Sequence, residues 1–130
     1  MPYVSSFELI EIYADGSSAT VPGDVSVVDI WDIGAGGSGK QNGAGGGAGG
    51  VAYKQYSVRS SEWGTTLTIS VGLGAATYDG GDSYVNGTLD GAAITTLEGK
   101  GGKKASGPQG LAGGAGGTAN GGTANTTGED

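Results

Sequence analysis

The sequence predicts an all-β chain: a small antiparallel β-sandwich-like domain interrupted by glycine-rich extended segments of the polyproline II or polyglycine II type. Three observations carry this expectation. Short runs rich in β-branched and aromatic residues are separated by turn signals, as in Phe7 to Tyr13, Val25 to Ile33, Val51 to Val58 and Leu67 to Val71. No window of helical length keeps a 3.6-residue periodicity, and glycine would interrupt one that did. Glycine supplies 31 of 130 residues, most of it in two runs, Gly34 to Gly50 and Gly99 to Gly122. At this length the chain is expected to form one domain, residues 1–130, with 35% hydrophobic residues to build its core.

Taken in order, Met1 to Ser6 has no basic region followed by an apolar run, so a secretory signal peptide is not expected. Phe7 to Tyr13 reads as a strand ending at Ala14-Asp15-Gly16-Ser17, which is turn chemistry, and Val21-Pro22-Gly23-Asp24 reads as a second turn. Val25 to Ile33 then places Val25, Val27, Trp31 and Ile33 on one face, with Asp29 as the exception, and Val28, Ile30 and Asp32 on the other. That pattern predicts a strand buried on most of both sides, with Trp31 filling the core. Residues 1–33 form the N-terminal strands and the expected docking side. After the first glycine run, Val51 to Val58 resumes strand character and Ser60 to Gly64 connects it to Leu67 to Val71, whose Leu67, Ile69 and Val71 point inward and Thr68 and Ser70 outward. Shorter strands are expected at Asp82 to Val85 and Ala92 to Leu97, separated by the turn signal Asn86-Gly87. Residues 123–130 read as a polar C-terminal tail.

The glycine runs, residues 34–50 and 99–122, carry a period of their own. Gly34, Gly37, Gly43, Gly46 and Gly49 recur every third residue, with Lys40 replacing glycine once, and so do Gly107, Gly110, Gly113 and Gly116. A three-residue period matches the threefold extended helix, which has no internal hydrogen bonds and directs every N–H and C=O outward. Buried side by side, such segments satisfy their backbone groups only by bonding laterally, and a lateral array leaves room for little beyond glycine or alanine. Collagen is a poor fit to Gly107-Pro-Gln-Gly-Leu-Ala-Gly113, because the triplet frame breaks at Ala119.

Composition excludes several chemistries. Without histidine or cysteine there is no Ser-His-Asp or Cys-His set, disulfide framework or cysteine metal site. A net charge of −7 with six dispersed Lys and Arg argues against nucleic acid as a partner. The acids Glu8, Glu11, Asp15, Asp24, Asp29 and Asp32 all precede the first basic residue, Lys40, and read as a solvated sheet face. No stretch approaches transmembrane length, so membrane insertion is not expected. Gly34-Ala-Gly-Gly-Ser-Gly39 satisfies a dinucleotide-binding pattern, and extension to Lys40 satisfies most of a P-loop. Both motifs must open a helix, and a P-loop needs Ser or Thr where Gln41 stands, so neither is accepted and no cofactor is expected. Asp79-Gly-Gly-Asp82 with Asp90 offers hard oxygen ligands but lacks calcium-loop spacing; turn aspartates are the simpler reading, and no metal is expected. Asn86-Gly-Thr88 and Asn125-Thr-Thr127 are glycosylation sequons only in a secretory chain. Surface recognition, in place of catalysis, is assigned to Tyr78, Asp79, Asp82 and Tyr84.

The succession Val21 to Trp31, Gly34-Ala-Gly-Gly37, Ala44 to Tyr53, Leu67 to Gly74, Gly80 to Tyr84 and Leu97 to Gly102 resembles the glycine-rich domain of bacteriophage tail fibres and related virion proteins. The resemblance covers residues 7–122. It implies a non-enzymatic structural protein of the virion, made in the host cytoplasm and commonly trimeric, in which packed extended helices carry loops that recognise host surface polymers. A tail-fibre tip and a capsid-decorating or head-spike protein are both implied positions, with Met1 to Ser6 and the acidic strands after it on the docking side. Expected partners are further copies of the chain as a homotrimer, other capsid or tail proteins, and a host-surface polysaccharide or outer-membrane protein. The alternatives are a small polysaccharide-acting enzyme using Asp79, Asp82 and Asp90, and a disordered glycine-rich linker.

Overall fold

The computed structural model describes residues 17–40, 44–74, 78–95, 97–106 and 113–129. The strand expected at Phe7 to Tyr13 lies outside the described residues, as do Met1 to Ser6 and Gln41. Among the described residues the only helical element is a single 3-10 turn, Ser60–Glu62. The strands are β1 (Ser17–Thr20), β2 (Val27–Ile33), β3 (Val51–Ser57), β4 (Thr66–Ser70), β5 (Ser83–Asn86), β6 (Thr88–Leu89), β7 (Ala92–Ala93), β8 (Glu98–Gly99), β9 (Ala119–Asn120) and β10 (Ala124–Thr126). β1-β4-β5-β8-β9 form one antiparallel sheet, β10-β3-β2 a second, and β6-β7 a small hairpin. The residues read as a polar tail thus supply a strand, β10, to the second sheet.

The two larger sheets pack face to face through alternate residues, the arrangement of a β-sandwich. Leu67 and Val85 from the first sheet meet Ile30 and Ala52 from the second, and Leu89 of β6 with Val21, Ile94 and Leu97 from the connections closes the core. β2 departs from the expected burial. Its Val28, Ile30 and Asp32 face turns inward, whereas Val27, Asp29, Trp31 and Ile33 all face outward, with Trp31 57% exposed. Trp31 therefore does not fill the core. The alternation is regular once Asp29 is taken as marking the solvent face, and one buried face is what an outer sheet of a two-layer fold requires.

Two details differ from the expected hairpins. Ala92 to Leu97 is not one strand: only Ala92–Ala93 forms β7, Ile94 and Leu97 enter the core, and β8 begins beyond them at Glu98. The tight turn is Asp90-Gly91 between β6 and β7, where φ is 54° and 72°; two successive left-handed residues match the twist of a hairpin. Glu62 anchors this turn from the 3-10 segment. It is buried, and its carboxylate accepts the backbone N–H groups of Arg59 (2.8 Å), Asp90 (2.9 Å) and Gly91 (2.9 Å). Those bonds, led by the one from Arg59, hold its carboxyl below the usual range.

The glycine runs continue from the sandwich as laterally bonded extended segments, and the bonds repeat every third residue. Gly34, Gly37 and Lys40 donate to the carbonyls of Gly50 (2.9 Å), Gly47 (2.9 Å) and Ala44 (3.0 Å). Ala35 and Ser38 donate to Gly81 (3.0 Å) and Tyr78 (3.2 Å), and their own carbonyls accept from Gly102 (2.8 Å) and Ala105 (2.9 Å). Residues 44–50 repeat the scheme: Gly47 and Gly50 donate to Lys103 and Lys100, while the carbonyls of Gly45 and Ala48 accept from Gly114 and Gly117. Successive residues thus serve different neighbours, as the threefold symmetry of the extended helix dictates. Space is as limiting as bonding. A Cβ on Gly37, Gly102 or Gly117 would lie under 3.0 Å from the carbonyl oxygens of Lys103, Gly47 or Lys100, whereas one on Gly45 would meet nothing within 4 Å.

Candidate functional site

The extended segments run away from the sandwich and return, and the hydrogen-bond register brings their far ends together. Lys40 is bonded to Ala44, Ser38 lies between Tyr78 and Ala105, and Gly114 is bonded to Gly45. Lys40, Ala44, Tyr78, Ala105 and Gly114 therefore share one end of the array. Residues 41–43, 75–77 and 107–112 lie outside the described residues. Tyr78, 69% exposed, stands at this end. So do Lys40, Lys103 and Lys104, half of the six basic residues of an otherwise acidic chain.

Asp79 and Asp82 are placed by the same three-residue repeat. Residues three apart lie on one side of a threefold helix, so both carboxylates face the segment 100–104. Asp79 accepts the backbone N–H of Lys104 at 2.9 Å and pairs with Lys103 Nζ at 3.2 Å. The backbone bond, then the lysine, holds its carboxyl below the usual range. Asp82 accepts the backbone N–H of Gly101 at 2.8 Å and lies 3.7 Å from Lys100 Nζ. Between them Gly80 donates to Gly102 at 2.9 Å. The result is an antiparallel ladder in which Asp-Gly-Gly-Asp reads Lys-Gly-Gly-Lys in reverse, and its aspartates clasp the array together.

Tyr84 belongs to a different neighbourhood from Tyr78. It lies on the outer face of the first sheet, in the row Ser70, Tyr84, Glu98 and Asn120 set by the strand register. An open concavity of about 260 Å³ beside it is lined by Tyr84, Val85, Asn86, Thr95, Leu97 and Glu98. Lys100 bridges Glu98 at 3.3 Å and Asp82 at 3.7 Å, and these carboxylates, Glu98 first, raise its pKa. The four recognition candidates thus divide into Tyr78 and Asp79 near the loop end and Asp82 and Tyr84 near the sheet concavity.

A family model describing a glycine-rich domain matches residues 13–130. The chain belongs to the glycine-rich domain family. No curated protein and no solved structure matches it. The match spans the sandwich and the bonded array alike, so the glycine-rich domain comprises both. Among its described residues no group of carboxylates is arranged to hold a metal ion.

The glycine-rich domain carries one surface that the sequence reading missed. On the outward face of β2 and β3, Trp31 stacks on Tyr53 with ring centroids 4.6 Å apart. Asp29 accepts from Tyr53 Oη at 2.8 Å and from Gln55 Nε2 at 3.0 Å, which fixes the ring and the amide beside it. Ile33 and Val27 extend the apolar surface. The signal was present: Asp29 shares the face of Trp31 and Ile33, and a carboxylate in that alternation points to solvent.

Proposed function

We propose that the protein is a non-enzymatic bacteriophage virion structural protein, displayed on the particle surface and contributing to attachment to the host. The observation that carries this reading is the laterally bonded array, which gathers Lys40, Tyr78, Ala105 and Gly114 at one end. Such an array is a stiff support for loops, because its segments are fixed to one another by backbone bonds in which no side chain need take part. Exposed Tyr78 and the lysines Lys40, Lys103 and Lys104 suit that end to contact with an acidic cell surface. The apolar face of Trp31, Ile33 and Val27 at the sandwich supports docking to another capsid or tail protein through the N-terminal strands, since exposed apolar patches of this kind mark interfaces.

Immunogold labelling of purified particles is expected to place the protein on the capsid or tail surface, and particles devoid of it would refute the proposal. Substitution Trp31→Lys should leave the isolated domain folded but lower its incorporation into particles. Tyr78→Ala is expected to slow adsorption to host cells while particle number and protein content stay unchanged.

A further inference from the structure

We propose that the outer face of the first sheet, centred on the concavity at Tyr84, binds a neutral glycan chain. This rests on the attachment reading above and names a ligand class and a place that the loop end does not supply. The register puts Ser70, Tyr84, Glu98 and Asn120 in one row on one face, crossing β4, β5, β8 and β9. With neighbouring strands about 4.8 Å apart, the row spans about 14 Å. It presents a hydroxyl, an aromatic ring, a carboxylate and an amide in succession. Asn86, paired with Thr68 on the same face, and Thr95 add an amide and hydroxyls beside the ring.

These groups suit a sugar better than the alternatives. A partly exposed tyrosine ring, 39% accessible, offers a flat apolar face to the C–H side of a pyranose. The planar Glu98 carboxylate and Asn86 amide each present paired hydrogen-bonding atoms that match vicinal hydroxyls. The concavity, about 260 Å³, lies below the roughly 300–1,000 Å³ of enclosed small-molecule pockets, which fits one ring of a chain laid across a sheet. Charge selects the class of glycan. Glu98 and Asp82 flank a single cation, Lys100, which is already bridged to both, so an acidic polymer gains no free cation and meets two carboxylates. Tyr84 and Glu98 are strand residues held on both sides by neighbouring strands, so the row is fixed before a ligand arrives.

The test is a titration of the full chain, ¹⁵N-labelled, with a mannan, a galactan and a dextran as neutral probes and polygalacturonate as the acidic one. At least one neutral polymer is expected to shift the amides of Tyr84, Asn86, Thr95 and Glu98, with polygalacturonate inert. Tyr84→Ala, at an exposed position, should weaken binding at least tenfold, and Asn86→Ala should weaken it while leaving the remaining spectrum unchanged. Silence of these amides toward every neutral polymer, or binding that survives Tyr84→Ala, overturns the proposal. The two readings fail separately: a protein found on particles whose concavity binds no neutral glycan loses only this inference, and one that binds glycan but is absent from particles loses only the virion assignment.

Discussion

Asp32 is the residue whose chemistry most opposes its position. It is 5% exposed on the inner face of β2, and its Oδ2 has no hydrogen-bond partner among the described residues. Burial, then the nearby Glu98 carboxylate, pushes its pKa from 3.8 up to about 7. A carboxyl raised in the folded state binds its proton more tightly there than in the unfolded chain. Its contribution is therefore complete below about pH 3.8, is lost progressively as pH rises from there, and is gone above about 7. The two limits differ by at most about 4 kcal/mol. Glu62 and Asp79 act in the opposite direction: both are lowered, so what they contribute is present above their ordinary values and lost on acidification. Urea unfolding should show greatest stability near about pH 4.5, declining from there to about pH 7. Asp32→Asn should remove most of the decline between about pH 4 and 7, and an undiminished decline in that variant would mean that Asp32 is not its source. Parity along β2 already separated Asp32 from Asp29 in the sequence, but the expectation of burial on both faces hid which of the two carboxylates is taken out of water. Trp31 was misread for the same reason: bulk and apolarity suggested the core, while its parity along the strand put it outside.

At the scale of elements, the three-residue period was the most legible feature of the chain, since glycine is required wherever a Cβ would strike a neighbouring carbonyl. That requirement is positional and can be tested by pairs of like substitutions. Gly102→Ala forces a Cβ onto the Gly47 carbonyl and should cost about 1–3 kcal/mol or more, the range for overpacking. Gly45→Ala meets open space and should be neutral or stabilising by about 0.4–1 kcal/mol, through loss of freedom in the unfolded chain. Equal midpoints in denaturant for the two variants would contradict the packing account. The alanines of the first run, Ala35, Ala44 and Ala48, stand at positions that are not fully buried. The hairpin turn was less legible. Asn86-Gly87 and Asp90-Gly91 carry equivalent turn signals, and what selects the second is the Glu62 carboxylate, a contact made across 28 residues that no local pattern contains.

At the scale of the whole molecule, the all-β class followed from local signals, but the strand order did not. β1 pairs with β4 and β10 with β3, pairings set by which faces must be buried together and not by adjacency in sequence. The recognition candidates were legible as residue types, and their division between the loop end and the sheet concavity was not, since it depends on the array's register. That register also changes what the glycine implies about assembly. The lateral bonds join segments of one chain. The central claim is that glycine-run backbones are ordered by period-three bonding within a single chain. Native-state amide hydrogen exchange measures this directly. Protection is expected at Gly34, Ala35, Gly37, Ser38, Gly47 and Gly50, which donate lateral bonds, with fast exchange at Gly36, which donates none among the described residues. The pattern should not change with protein concentration. Uniformly fast exchange through residues 34–50, or protection that emerges only as the protein oligomerises, would contradict it.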